Sequence, residues 1–204
     1  MDKEKIIINV GRQLGSGGHE VAKRLADRMG CRFYDKELLN LAAKESGFSE
    51  KIFEKNDEHK GFLRSLFCMH APHIGDNSFY NSNLSQESLF MFQSNAIKKA
   101  AAEGACVFVG RCADYVLREY DNVLNVFITA DIKQRIERVK KRDLCDDETA
   151  CKIINSQENE RASYYNYYTG QKWGNAANYH LCINSSVLGI EGTASFIMDF
   201  IKLL

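Results

Sequence analysis

Val10-Gly11-Arg12-Gln13-Leu14-Gly15-Ser16-Gly17-Gly18-His19-Glu20-Val21-Ala22 follows the apolar run Ile6-Ile7-Ile8 and leads into a segment with helical spacing. Val21, Ala22, Leu25, Ala26 and Met29 share one face of that segment. The order is therefore strand, glycine-rich turn, helix. Glycines at 11, 15, 17 and 18 let the backbone approach a ligand closely. The helix that follows begins with unpaired N–H groups and the positive end of its dipole, which together suit phosphate. The spacing approaches the template G-x-x-x-x-G-K-[ST] without matching it: with Gly17 as the second glycine, the lysine position is Gly18 and the Ser/Thr position is His19. A tight turn without a ligand is the alternative. Its place directly after the first strand favours phosphate.

The chain has 204 residues, with 27 Lys plus Arg balanced by 27 Asp plus Glu. That length suits one domain over 1–204. Zero net charge gives no reason to expect nucleic acid or an anionic membrane as partner. No apolar run is long enough to span a bilayer, and Ile6–Val10 reads as a short strand rather than a signal core, so a cytoplasmic protein is expected. Seven cysteines, at 31, 68, 106, 112, 145, 151 and 182, form no C-x-x-C pair and read as reduced thiols. The histidines at 19, 59, 70, 73 and 180 do not join them at zinc-ligand spacing; His70 with His73 reads as a solvated loop before a metal site.

Further along, Cys31–Asp35 is strand-like, Lys36–Lys44 helical, and Ser49–Phe53 the start of another short helix. Residues 56–84, which hold the only proline, Pro72, read as a mobile excursion or substrate-side cap. A helix is expected from about Gln86 to before Gly104, followed by the buried strand Cys106–Val109 and Gly110-Arg111. Val123–Ile128 is another strand. Asp131–Arg142 is an amphipathic helix with Ile132, Ile136 and Val139 inward and Lys133, Arg135, Arg138, Lys140, Lys141 and Arg142 outward. Asp146 starts a helix to about Arg161, with the tyrosines at 164, 165, 167 and 168 beyond it. Leu181–Asn184 is a last strand and Gly189–Leu203 a closing helix. Alternating strands and helices give an α/β fold with a mostly parallel sheet covered on both faces. Ligands sit beyond the carboxyl ends of such strands, where the glycine turn, Asp35 and Gly110-Arg111 all fall.

Arg111 at the end of an apolar strand reads as a fork for phosphate or carboxylate, or as a salt-bridge partner of Asp114 or Asp35. Asp35 reads as an acceptor for a substrate group, as a helix cap, or as both. The basic run 133–142 is a solvated face or a source of lid arginines.

Gly11–Gly18, Phe33-Tyr34-Asp35-Lys36-Glu37-Leu38-Leu39, Val109-Gly110-Arg111-Cys112-Ala113-Asp114-Tyr115 and the stretch from Arg161 to Gly174 resemble the cytidylate kinase-like family, over nearly the whole chain. The resemblance implies a P-loop three-layer kinase fold with small NMP-binding and lid elements, the lid about 138–174, and ATP and Mg2+ as cosubstrates. It implies transfer of a phosphoryl group from ATP to a nucleoside monophosphate, CMP-like by preference. The alternatives are a kinase of another small acceptor and a nucleotide-binding regulatory module. Carried over by residue, Gly15, Ser16, Gly17, Gly18, His19 and Glu20 would hold the donor phosphates, and Asp35, Arg111 and Asp114 the acceptor. Arg138, Arg142 and Arg161 would be lid arginines. With Gly18 in the lysine position, the cations near the transferring group would be Arg12, Arg111 and Arg161. The magnesium hydroxyl falls on His19 or Glu20, the acceptor-side Ser on Lys36, and the family's arginine further along that helix is not matched at Leu41.

Overall fold

Ile7–Arg12 forms β1, the middle strand of a five-stranded sheet in a computed structural model that describes residues 5–35 and 78–204, with the side chains of 78–86, 88 and 89 excepted. The others are β2 (Arg32–Tyr34), β3 (Cys106–Val109), β4 (Val123–Thr129) and β5 (Leu181–Asn184), in the order β2-β3-β1-β4-β5. Every pairing is parallel, which explains why β1, β3 and β4 are runs of apolar residues rather than alternations. Among the described residues the α-helices are α1 (Gly18–Met29), α2 (Ser78–Ala102), α3 (Ala113–Val116), α4 (Ile132–Asp143), α5 (Asp147–Thr169) and α6 (Ser185–Leu203).

The chain divides into two units, residues 1–35 with 99–204, and residues 36–98. In the first, Ile6, Ile8, Val10, Val107, Val109, Leu124, Val126 and Ile128 bury one sheet face under Val21, Ala22, Leu25 and Ala26 of α1 and Ala194, Ile197 and Ile201 of α6. A smaller cluster joins Leu14 of the glycine turn to Val139 of α4 and Ala150 and Ile154 of α5. The sheet changes direction at β1: the chain leaves β1 for β2 on one side, and leaves β3 and β4 for the other. That switch opens a crevice at the carboxyl ends of β1 and its neighbours.

The helix expected from about Gln86 begins at Ser78, within the segment read as an excursion. The helix begun at Asp146 continues to Thr169, so the tyrosine run is helical; Asp146 caps it by accepting from the Thr149 amide at 2.8 Å. The closing helix starts at Ser185 and breaks at Gly189, whose φ of 67° and ψ of 174° are not helical. On α4, Ile132 is exposed and Arg135 buried, the reverse of the expected faces. The reason is that Arg135 lies one turn from Val139 on the inward stripe and finds a partner there. The helices expected over 36–44 and from Ser49, residues 56–77, Cys68, His59, His70 and His73 lie outside the described residues. The other six cysteines are free thiols. No helix among the described residues is long and apolar enough to cross a membrane.

Candidate functional site

The glycine turn is held so that its carbonyls face away from the crevice. Arg161 donates to the Arg12 carbonyl at 3.2 Å, the Ser16 hydroxyl to Gln13 at 2.8 Å, Arg135 Nε to Leu14 at 2.8 Å, Arg138 to Gly15 at 3.0 Å and the Ser185 hydroxyl to Ser16 at 2.6 Å. The Gly17 carbonyl accepts from the Val21 amide as α1 begins. Five consecutive carbonyls are thus taken by side chains. The amides of Gln13, Leu14, Ser16 and Gly18 bond to the Ile128 carbonyl, the Glu158 carboxylate, the Gln13 carbonyl and the Ser16 hydroxyl. The amides of Gly15, Gly17, His19 and Glu20 make no such bond among the described residues. Left-handed φ angles of 75° and 76° at Gly15 and Gly17 produce this shape. A Cβ on Gly15 would stand 2.6 Å from the Arg135 carbonyl, so nothing larger than glycine fits. Amides at a helix start with their carbonyls turned out form an anion nest.

Around that nest the fold brings Arg12, Arg111, Arg161 and Asp35 within electrostatic reach of one another. Burial, then the charge of Arg161, lowers the Arg12 pKa to about 9; Asp35 opposes this and Arg111 adds to it. Arg12 therefore stays charged at neutral pH. Burial is also the main cause that lowers the Arg161 pKa, opposed by Glu158 and reinforced by Arg111 and Arg142. With the ion-pair partners Arg135 and Asp143 included, five guanidiniums meet three carboxylates there among the described residues, an excess of positive charge that suits an anion.

Gly110, Arg111 and Cys112 are all left-handed, with φ of 70°, 61° and 55°. Two of them are not glycine, a local cost of roughly 1–2 kcal/mol each, retained only where surrounding structure imposes it. The twist sends Arg111 from the end of β3 toward Arg12 and Arg161, and Cys112 into the core, where burial raises its thiol pKa to about 12. Asp114 starts α3; its carboxylate accepts from the Tyr165 hydroxyl at 2.7 Å, and burial raises its pKa. Asp114 also lines a cavity of about 360 Å³ with Tyr120, Asn125, Gln171, Asn178 and His180.

Of the residues singled out from the sequence, Ser16 is fully buried with its hydroxyl spent within the turn. Glu20 is exposed and pairs with Arg24. His19 faces solvent and meets the Asp35 carboxylate at 2.9 Å, with Phe33 edge-on. Arg138 and Arg161, read as lid arginines, hold turn carbonyls, while Arg142 forks onto Asp143 at 2.6 Å. Sequence reasoning missed Arg135, Glu158 and Ser185. Glu158 accepts from Arg135 at 2.5 Å and from the Leu14 amide at 3.2 Å. The available signal was an arginine at helical spacing from Val139.

Residues 7–187 match the model of the cytidylate kinase-like family. Cytidylate kinase from Pyrococcus horikoshii is 28% identical over 199 residues, which is 97% of this chain and 88% of that one. The crystal structure of an uncharacterized protein from Eubacterium ventriosum shares 28% identity at a TM-score of 0.72, covering 97% and 99% of the two chains. A shikimate kinase structure from Bacteroides thetaiotaomicron, 13% identical over 97% of this chain and 98% of that one, has a TM-score of 0.52 and shares the fold alone.

Proposed function

We propose, because the chain belongs to the cytidylate kinase-like family, that it transfers the γ-phosphoryl group of ATP to a nucleoside monophosphate, with CMP the favoured acceptor. One observation carries the reading: an amide-lined nest stands beside a cluster in which arginines outnumber carboxylates. Two phosphorylated substrates meeting there supply the negative charge that the cluster lacks. In the transfer, the bond from the γ-phosphorus to the bridging oxygen of ADP breaks, and its electron pair leaves with ADP. A new bond forms to an acceptor phosphate oxygen, and a dianionic acceptor has no proton to give up. Such chemistry asks the protein to position groups and neutralise charge. The nest around Gly15 and Gly17 receives the donor phosphates, with Gly18, His19 and Glu20 at the start of α1, and Arg111 and Asp114 serve the acceptor. Asp35 is the carboxylate beside the nest. Its carboxylate, paired with His19, would help hold the magnesium ion that accompanies ATP. Bound there, magnesium would offset the charge of the phosphates.

The test is a search for ADP and diphosphate products with Mg·ATP and each of CMP, UMP, AMP and GMP in turn. CDP formation well above the others is expected. ATP binding with no diphosphate from any of the four would move the function to a nucleotide-binding module.

A further inference from the structure

The lysine position of the turn is not merely vacant in sequence; it is filled in space. A Cβ on Gly18 would lie 2.5 Å from Arg12 Cβ, 3.2 Å from Arg12 Cγ and 3.2 Å from Ile128 Cβ. No side chain fits there while Arg12 keeps its course. At the far end of that course, a Cβ on Gly110 would collide with Arg12 Nη1. The stem of Arg12 thus excludes a side chain at Gly18, and its flexible guanidinium end reaches Gly110, so the arginine runs from the end of β1 past the start of α1 to the end of β3. Its backbone carbonyl is fixed by Arg161. Among the described residues its guanidinium makes no hydrogen bond or ion pair, although Asp35, Arg111 and Arg161 are in electrostatic range. A half-buried cation with its donors unspent, beside an amide nest, is arranged for an anion.

We propose that Arg12 replaces the absent P-loop lysine as the cation that grips the donor phosphates, delivered from the strand before the turn instead of from the helix after it. The replacement changes the chemistry of the grip. Lysine offers a compact point charge, whereas the guanidinium offers a planar fork that engages two phosphate oxygens at once. Because Arg12 reaches Gly110, next to Arg111, the fork lies between the donor nest and the acceptor's arginine. The inference rests on the turn being a phosphate nest.

Calorimetric titration of the intact chain with ATP, ADP and AMP tests it, without requiring turnover. Arg12→Met keeps the apolar stem and removes the charge. It is expected to bind ATP about 10- to 100-fold more weakly, the loss typical of a charge-assisted donor, with AMP affinity and the ligand-free melting temperature near those of the parent. Arg12→Lys should recover part of the loss. Arg12→Gly with Gly18→Lys, which removes the Cβ that meets position 18 and restores the template lysine, should bind ATP more tightly than Arg12→Gly alone. ATP affinity equal to the parent's in Arg12→Met overturns the proposal, as does equal affinity in Arg12→Ala should Arg12→Met fail to fold. A parent that binds neither ATP nor ADP overturns the nest itself.

Discussion

Asp114 carries a burial cost at a single residue. Its carboxylate is desolvated, and the Tyr165 hydroxyl only partly offsets that. Its folded pKa is raised above the ordinary value of about 3.9. The folded state thus holds this proton more tightly than the unfolded state. The stability it contributes is present below the unfolded pKa and is lost as pH rises through the folded pKa. Asp114→Asn keeps an acceptor for Tyr165 without the charge. We expect its melting temperature at pH 8 to exceed the parent's by about 2–4 °C, roughly 1 kcal/mol for a chain of this size, with little difference at pH 4. If Asp114 serves the acceptor, kcat/KM for CMP falls in the same variant. A lower melting temperature at pH 8 would contradict the burial argument.

At the scale of elements, the α4–α5 hairpin acts as the outer brace of the glycine turn. Arg135, Arg138, Glu158 and Arg161 all reach from it to turn backbone. Arg135 is buried and depends on Glu158 for its counter-charge. Glu158→Ala would strand that guanidinium and the Leu14 amide together. Removing one partner of a buried pair costs about 3–5 kcal/mol, so a melting temperature lower by roughly 6–20 °C is expected. A change of less than about 2 °C in calorimetry would show that the brace is dispensable. The carbonyls matter as much as the charges: an amide nest forms only while something else takes the opposite face of each peptide.

The whole molecule has no net charge, yet it concentrates guanidiniums at one end of one crevice. Composition averages this focus away. Bulk neutrality implies weak attraction to extended polyanions, and the local focus implies strong attraction to a small one. Scanning calorimetry with rising Mg·ATP should therefore raise the melting temperature logarithmically. At about 100 times the dissociation constant the stabilisation is about 2.7 kcal/mol, or roughly 5–11 °C. Inorganic phosphate should produce a smaller rise that equal ionic strength of sodium chloride does not. A rise matched by sodium chloride would assign the effect to screening.

The sequence by itself determined the strand–turn–helix unit, the parallel sheet and the gathering of the glycine turn, Asp35 and Arg111 at one end of it. These follow from local patterns: apolar runs, glycine spacing and helical periodicity. Strands β3 and β5 were legible to the residue because short apolar runs bounded by polar groups leave little freedom. The run of α5 through its tyrosines was not legible, since its inward face is formed by partners distant in the chain. Nor was the inward turn of Arg135, which depends on Glu158 twenty-three residues away. The path of Arg12 was decided by the tertiary structure alone. Nothing in the spacing of Arg12, Gly18 and Gly110 says that they share one volume. That exclusion arises only when β1, α1 and β3 pack together, because sterics act through space and not along the chain.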